Sequence, residues 1–286
     1  MRTFVFIDLD GTFWEHERIP ASALAAVKTA RENGHMVFVN TGRARSTAEN
    51  VLGNLDLDGF VYSAGTEIVM HGERIFFHPM ELDKLRRIMD AFDERNVAYC
   101  LEGSTGTFVT PAYAEHIRQN SAFNRVSDTF KNLPQIKDMT EEDFETVMKI
   151  SVKLNPDQNI DDIMEEEHLV FTPFGFQMEG VRAGELTEAG YSKGTAMNVV
   201  RELVDPTART MAIGDSENDI PMLVDADFSV CMGNGTEAAK KAAKWITDTF
   251  ANDGFAKAFE KAGLLEEDHS LLHEKHHDMR HAQSAL

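Results

Sequence analysis

"FVFIDLDGTFWE", residues 4–15, sets an apolar run from Phe4 to Ile7 directly against two acids, Asp8 and Asp10, and a Gly11-Thr12 turn. A short apolar run bounded by a turn signal fits a strand buried on both faces. Carboxylates at the mouth of such a strand lose hydration and repel one another, so a positive partner is expected nearby.

Outward from this stretch the chain alternates. Residues 21–34 ("ASALAAVKTARENG") carry helical apolar spacing with Gly34 as a stop. "HMVFVNTG" (35–42) is a second apolar strand, "RSTAENVLGNL" (45–55) a helix and "GFVYSAG" (59–65) a third strand. Strands alternating with helices predict a parallel sheet covered on both faces. "EIVMHGERIFFH" (67–78) alternates and turns at His71-Gly72, as an edge hairpin does.

The rhythm changes from residue 82 to 184. Helices are expected at 82–95, 111–120 and 160–167, with strands at "VAYCLEG", "TFVT", "VMKISVKLN", "LVFTP" and "FQMEGVR". This is an α+β insertion with its own sheet. The first rhythm then resumes: a helix over 192–204, a strand at 209–215, a helix from about Asn218, a strand at "FSVCMG", a helix over 236–244 and a short "WIT". The predicted fold class is α/β, a Rossmann-like parallel-sheet core with an inserted α+β domain. The expected boundaries are core 1–81, insertion 82–184, core 185–265 and a C-terminal tail 266–286.

The totals narrow the function. Lys and Arg number 28 against 48 Asp and Glu, a net charge of −20. That disfavours nucleic acid and anionic membranes, which are bound through clustered cations. Cys100 and Cys231 have no paired spacing, so neither a disulfide framework nor a thiolate zinc site is expected. No 18-residue apolar run occurs and no leader opens the chain, so a cytoplasmic protein is expected. Oligomeric state is not legible. The tail "EEDHSLLHEKHHDMRHAQSAL" is read as solvated, although His273, His277 and His281 share a helical spacing that captures transition metals adventitiously.

Sites in open parallel sheets form beyond the carboxyl ends of the strands. This chain places Asp8 to Thr12 after the first strand, Asn40-Thr41-Gly42-Arg43 after the second, and Gly214-Asp215-Ser216-Glu217-Asn218-Asp219 after the strand that follows the insertion. Lys193 opens a helix capped by Ser192. Singly, each has an ordinary reading as a turn, a loop or a solvated helix start. In this order they fit a phosphoryl-transfer site. Asp8 and Asp215 would share Mg²⁺, an ion that takes oxygen ligands. Asp8 is also the candidate nucleophile and Asp10, two residues on, the candidate acid/base. Thr41, the Gly42 amide and Lys193 would neutralise the phosphoryl oxygens.

"DLDGT", "NTGR", the helix-borne Lys193 and "GDSENDIPML" resemble the four signature motifs of the haloacid dehalogenase (HAD) phosphohydrolases. An insertion between the second and third motifs resembles the Cof-type subfamily (class IIB), in which it forms an α/β cap. The closing segments "VCMGNGTEAAKKAA" and "WITDTFANDGFAKAFEKAGLL" extend the resemblance over residues 3–265. The resemblance implies Mg²⁺ held by Asp8, the Asp10 main-chain carbonyl and Asp215, phosphate bound by Thr41 and Lys193, and Asn218 and Asp219 in support. Phe13-Trp14 departs from the family's common Leu, and Gly235 from its Ala, so Trp14 is expected to alter the cleft wall.

The leading expectation is a Mg²⁺-dependent phosphatase of a small phosphate ester, sugar phosphates foremost, with cap loops 103–106 and 172–176 as specificity elements. A phosphomutase and a non-catalytic phosphate-ester sensor are the alternatives. Only about thirty residues separate the first two motifs, which leaves no room for the cap of the related sugar phosphomutases. Asp10 speaks against a sensor, since binding alone needs no acid there.

Overall fold

The computed structural model describes residues 2–16, 18–119, 132–174 and 180–266. Two sheets organise it. The larger has eight strands, β1 (Thr3–Ile7), β2 (Met36–Asn40), β3 (Gly59–Tyr62), β4 (Glu67–Met70), β5 (Glu73–Phe77), β11 (Arg209–Gly214), β12 (Phe228–Cys231) and β13 (Trp245–Ile246). Their order is β13-β12-β11-β1-β2-β3-β4-β5. From β13 to β3 every neighbour is parallel, while β4 and β5 form the antiparallel edge hairpin.

Apolar residues alternate between two cores because strand side chains point to opposite faces. Val5, Ile7, Val39 and Ile213 pack under helices Ala21–Glu32 and Gly254–Lys261. Phe4, Phe6, Phe38 and Ala212 pack on the other face, under helix Lys193–Val204. Phe6 and Phe38 stack at 5.1 Å between ring centroids. Each is fully buried, a contribution of about 2 kcal/mol apiece.

The second sheet contains β6 (Ala98–Gly103), β7 (Thr107–Val109), β8 (Val147–Leu154), β9 (Leu169–Pro173) and β10 (Arg182–Glu188), in the order β7-β6-β8-β10-β9. All its pairings are antiparallel. A strand at 182–188 carries this sheet past residue 184 to Glu188, while most of the strand expected at 176–182 lies outside the described residues. Pairing decides this: Gly184 sits opposite Val152 on one side and Pro173 on the other. A Cβ there would come within 2.3 Å of the Thr172 carbonyl oxygen, so the sheet admits only glycine. Residues 175–179 and the tail histidines lie outside the described residues.

Among the described residues, no helix is long and apolar enough to cross a membrane. Cys100 and Cys231 are both buried, and burial pushes both thiols up, Cys231 to about 12.

Candidate active site

Strands β11, β1 and β2 are adjacent and parallel, so their carboxyl ends emerge at one edge. Ile7 pairs with Ile213 and with Val39, which sets Asp8 level with Gly214 and Asn40. The Asp8 amide continues the ladder by donating to the Ile213 carbonyl at 2.9 Å. The helix carrying Lys193 is fixed at its start by a capping box: the Thr195 amide donates to Ser192 Oγ, and the Ser192 amide to Thr195 Oγ1. Asn40 Nδ2 donates to the Lys193 carbonyl at 2.9 Å and ties that helix to the end of β2.

Lys193 is fully buried. Its Nζ donates to Asp8 Oδ1 at 2.5 Å, Asp219 Oδ1 at 2.6 Å and Asn218 Oδ1 at 3.2 Å. Asp219 Oδ2 in turn accepts the amides of Asp215 and Ser216 at 2.8 and 2.9 Å, which shapes the acidic loop. Asp215 Oδ1 accepts from Thr12 Oγ1 at 3.3 Å. Carboxylate oxygens of Asp8, Asp215 and Asp219 lie within 4.8 Å of one another. Gly11, at φ +82°, makes this crowding feasible, because a Cβ there would sit 2.6 Å from Asp215 Oδ2.

One ammonium does not neutralise three carboxylates. Burial, reinforced by Asp219, raises the Asp8 carboxyl from 3.8 to about 7 despite Lys193. Burial together with Asp8 and Asp219 raises Asp215 to about 9. Burial works to lower Lys193, but Asp219 and Asp8 outweigh it and its pKa rises. An all-oxygen donor set with surplus negative charge fits a hard divalent cation.

Asp10 has other partners. Arg43 grips it through Nε to Oδ2 at 2.7 Å and Nη2 to Oδ1 at 2.6 Å, and Trp14 Nε1 donates to Oδ1 at 3.0 Å. The guanidinium lies 5.1 Å above the indole. Trp14 is fully buried, so it braces Asp10 and forms no part of an open cleft wall. Thr41 is buried, with its hydroxyl accepting the Arg43 amide at 3.1 Å. The Gly42 carbonyl accepts from Lys149 on β8, at 2.7 Å.

The profile of the haloacid dehalogenase-like hydrolases matches residues 5–259, which include every one of these residues. The chain belongs to that family.

Among relatives of this HAD hydrolase is the 5-amino-6-(5-phospho-D-ribitylamino)uracil phosphatase YitU of Bacillus subtilis (strain 168). It is 24% identical over 259 residues, covering 88% of this chain and 94% of YitU. A solved HAD phosphatase, BT1666 from Bacteroides thetaiotaomicron, matches with a TM-score of 0.76 at 26% identity, over 92% of this chain and 96% of that one. The subclass IIB sugar phosphatase BT4131 shares the fold, with a TM-score of 0.71 at 22% identity over 92% and 99% of the two chains. The protein is a Cof-type HAD enzyme, a phosphoric monoester hydrolase.

Of the residues singled out in the sequence, Asp8, Lys193, Asp215, Asn218 and Asp219 meet at one point of this HAD core. Thr41 and Gly42 border it at the end of β2, and Asp10 stands beside it in the grip of Arg43 and Trp14. Four further residues were missed. Arg43 was quoted within "NTGR" without a role, and Thr12 within "DLDGT". Lys149 and Glu185 come from the inserted sheet, and no local pattern marks them. Lys149 is buried, and its Nζ also donates to Glu185 Oε1 at 2.7 Å. Burial raises the Glu185 carboxyl, opposed by Lys149.

Proposed function

We propose that this enzyme is a Mg²⁺-dependent phosphatase of small phosphorylated metabolites, sugar phosphates foremost, working through an aspartyl-phosphate on Asp8. The observation that carries the proposal is the Lys193 ammonium on Asp8 Oδ1, with Asp215 and Asp219 inside the same 4.8 Å cluster. Asp8, Asp215 and the Asp10 main-chain carbonyl would hold Mg²⁺. When bound, that ion supplies positive charge to the phosphoryl oxygens and relieves the repulsion between the acids.

Asp8 attacks phosphorus and displaces the alcohol, which divides one difficult hydrolysis into two easier steps. Lys193, Thr41 and the Gly42 amide stabilise the charge spread over the equatorial oxygens. Asp10 gives its proton to the departing alkoxide and later takes one from the water that attacks the acyl phosphate. Arg43 and Trp14 fix the position of its carboxyl group through hydrogen bonds to Oδ1 and Oδ2. Asp219 positions Lys193 and the 215–216 amides without touching substrate. The inserted sheet serves as the cap and excludes water from the first half-reaction.

The test is phosphate release from a panel of phosphorylated metabolites, with Mg²⁺ and with chelator, for wild type and Asp8→Asn. Release only by wild type with Mg²⁺ is expected. Turnover by Asp8→Asn removes the nucleophile assignment. An isomerised product without free phosphate would make the enzyme a mutase, and tight Mg²⁺-dependent binding without turnover a sensor.

A further inference from the structure

The inserted sheet carries a buried ionic chain at its contact with the core. Lys149 Nζ has three protons and three acceptors: the Gly42 carbonyl, Glu185 Oε1 at 2.7 Å and Glu102 Oε2 at 3.2 Å. Glu102 Oε1 accepts from Ser151 Oγ at 2.5 Å. Among the described residues, every oxygen of the two acids is thereby engaged except Glu185 Oε2. That oxygen faces the site, since a Cβ built on Gly42 would lie 3.7 Å from it and 2.9 Å from Asn218 Nδ2. The Glu185 side chain keeps 17% of its surface open, onto a cavity of about 170 Å³ shared with Thr172, Phe174, Ser216, Glu217 and Asn218. Two acids, two hydroxyls and an aromatic ring line this space, and among its described lining residues there is no lysine or arginine.

We infer that Glu185 selects the leaving group. Its open oxygen accepts hydroxyl donors from an uncharged, polyhydroxylated alcohol and repels a leaving group that bears its own anion. The inference rests on the phosphatase reading above and assigns the choice of leaving group to one residue of the inserted sheet. Saturation of Lys149 is the physical reason: its three protons are committed to the Gly42 carbonyl, Glu185 Oε1 and Glu102 Oε2, so two carboxyl groups share one ammonium and Glu185 Oε2 is left as an open acceptor beside the phosphate site. A like charge placed opposite it is disfavoured, and a hydroxyl finds a preorganised acceptor.

The test uses two esters of matched size, glycerol 3-phosphate, whose leaving alcohol is uncharged, and 3-phosphoglycerate, whose leaving alcohol carries a carboxylate. Wild type is expected to favour the neutral ester by about tenfold or more in kcat/KM, with most of the difference in KM. Glu185→Gln should shrink that ratio to about threefold or less, and Glu185→Asp, which keeps the charge, should preserve it. Equal use of both esters by wild type overturns the inference, as does a ratio that Glu185→Gln leaves unchanged. If Glu185→Gln does not fold, the wild-type and Glu185→Asp ratios decide. No phosphate from either ester or from p-nitrophenyl phosphate overturns the catalytic reading itself, and this inference with it.

Discussion

Asp8→Asn should make the metal-free protein more stable while abolishing turnover. The Asp8 carboxyl moves from 3.8 to about 7 on folding, chiefly because burial and Asp219 disfavour its charge. A carboxyl raised in this way binds its proton more tightly in the folded state. Its contribution to stability is therefore present below about pH 4 and is lost as pH climbs through about 7. At about 1.4 kcal/mol for each tenfold, the ionised side chain costs about 4 kcal/mol at pH 8. The asparagine keeps the shape and an oxygen for Lys193 but carries no charge. With about half the gain lost to relaxation, the variant should be stabilised by about 2 kcal/mol, a rise in Tm of about 5 °C. The assay is thermal unfolding in chelator from pH 4 to pH 9. The difference should be largest at pH 8 and vanish toward pH 4, and added Mg²⁺ should raise wild type far more than Asp8→Asn. An Asp8→Asn protein less stable than wild type at pH 8 in chelator would refute the reasoning, because it would mean that the Lys193 contact outweighs the acidic repulsion.

Three other outcomes follow from the same geometry. Trp14→Phe removes the Nε1 donor to Asp10 and should lower kcat on alkyl phosphates about tenfold, with a smaller effect on p-nitrophenyl phosphate, whose leaving group needs no proton. Equal losses on both substrates would leave Trp14 a purely structural role. Lys193→Met strips the buried acids of their ammonium and should cost about 3 kcal/mol at pH 8 in chelator, measured by denaturant unfolding. A neutral result would show that the acids protonate instead. Ser192→Ala deletes the cap of the helix that delivers Lys193 and should cost about 1 kcal/mol by the same measurement, with no change above a few tenths counting against the capping box.

Much of the core was legible because its signals are local. Phe4 to Ile7 can only be a strand buried on both faces, and the acids after it mark the strand's end. The His71-Gly72 turn, with φ of 49° and 83°, closes its hairpin where expected. The Ser192 cap likewise stands where the sequence put it. The inserted sheet was legible in kind but not in register. The strand at 182–188 was not anticipated, because its alternation is weak and only pairing with β8 and β9 selects it.

By itself the sequence determined the element types, the parallel core and the identity of the acids and the lysine at the strand ends, since each depends on neighbours within a few positions along the chain. Only the tertiary structure decided where those side chains point and what faces them. Asp10 and Asp8 are two residues apart, yet Asp10 is claimed by Arg43 from the next strand's end and by the indole of Trp14. Glu185 and Lys149 reach Gly42 from a separate sheet, across sequence separations of more than one hundred residues. Contacts of that kind depend on how two packed units approach in space, and side-chain periodicity along one strand carries no record of that approach.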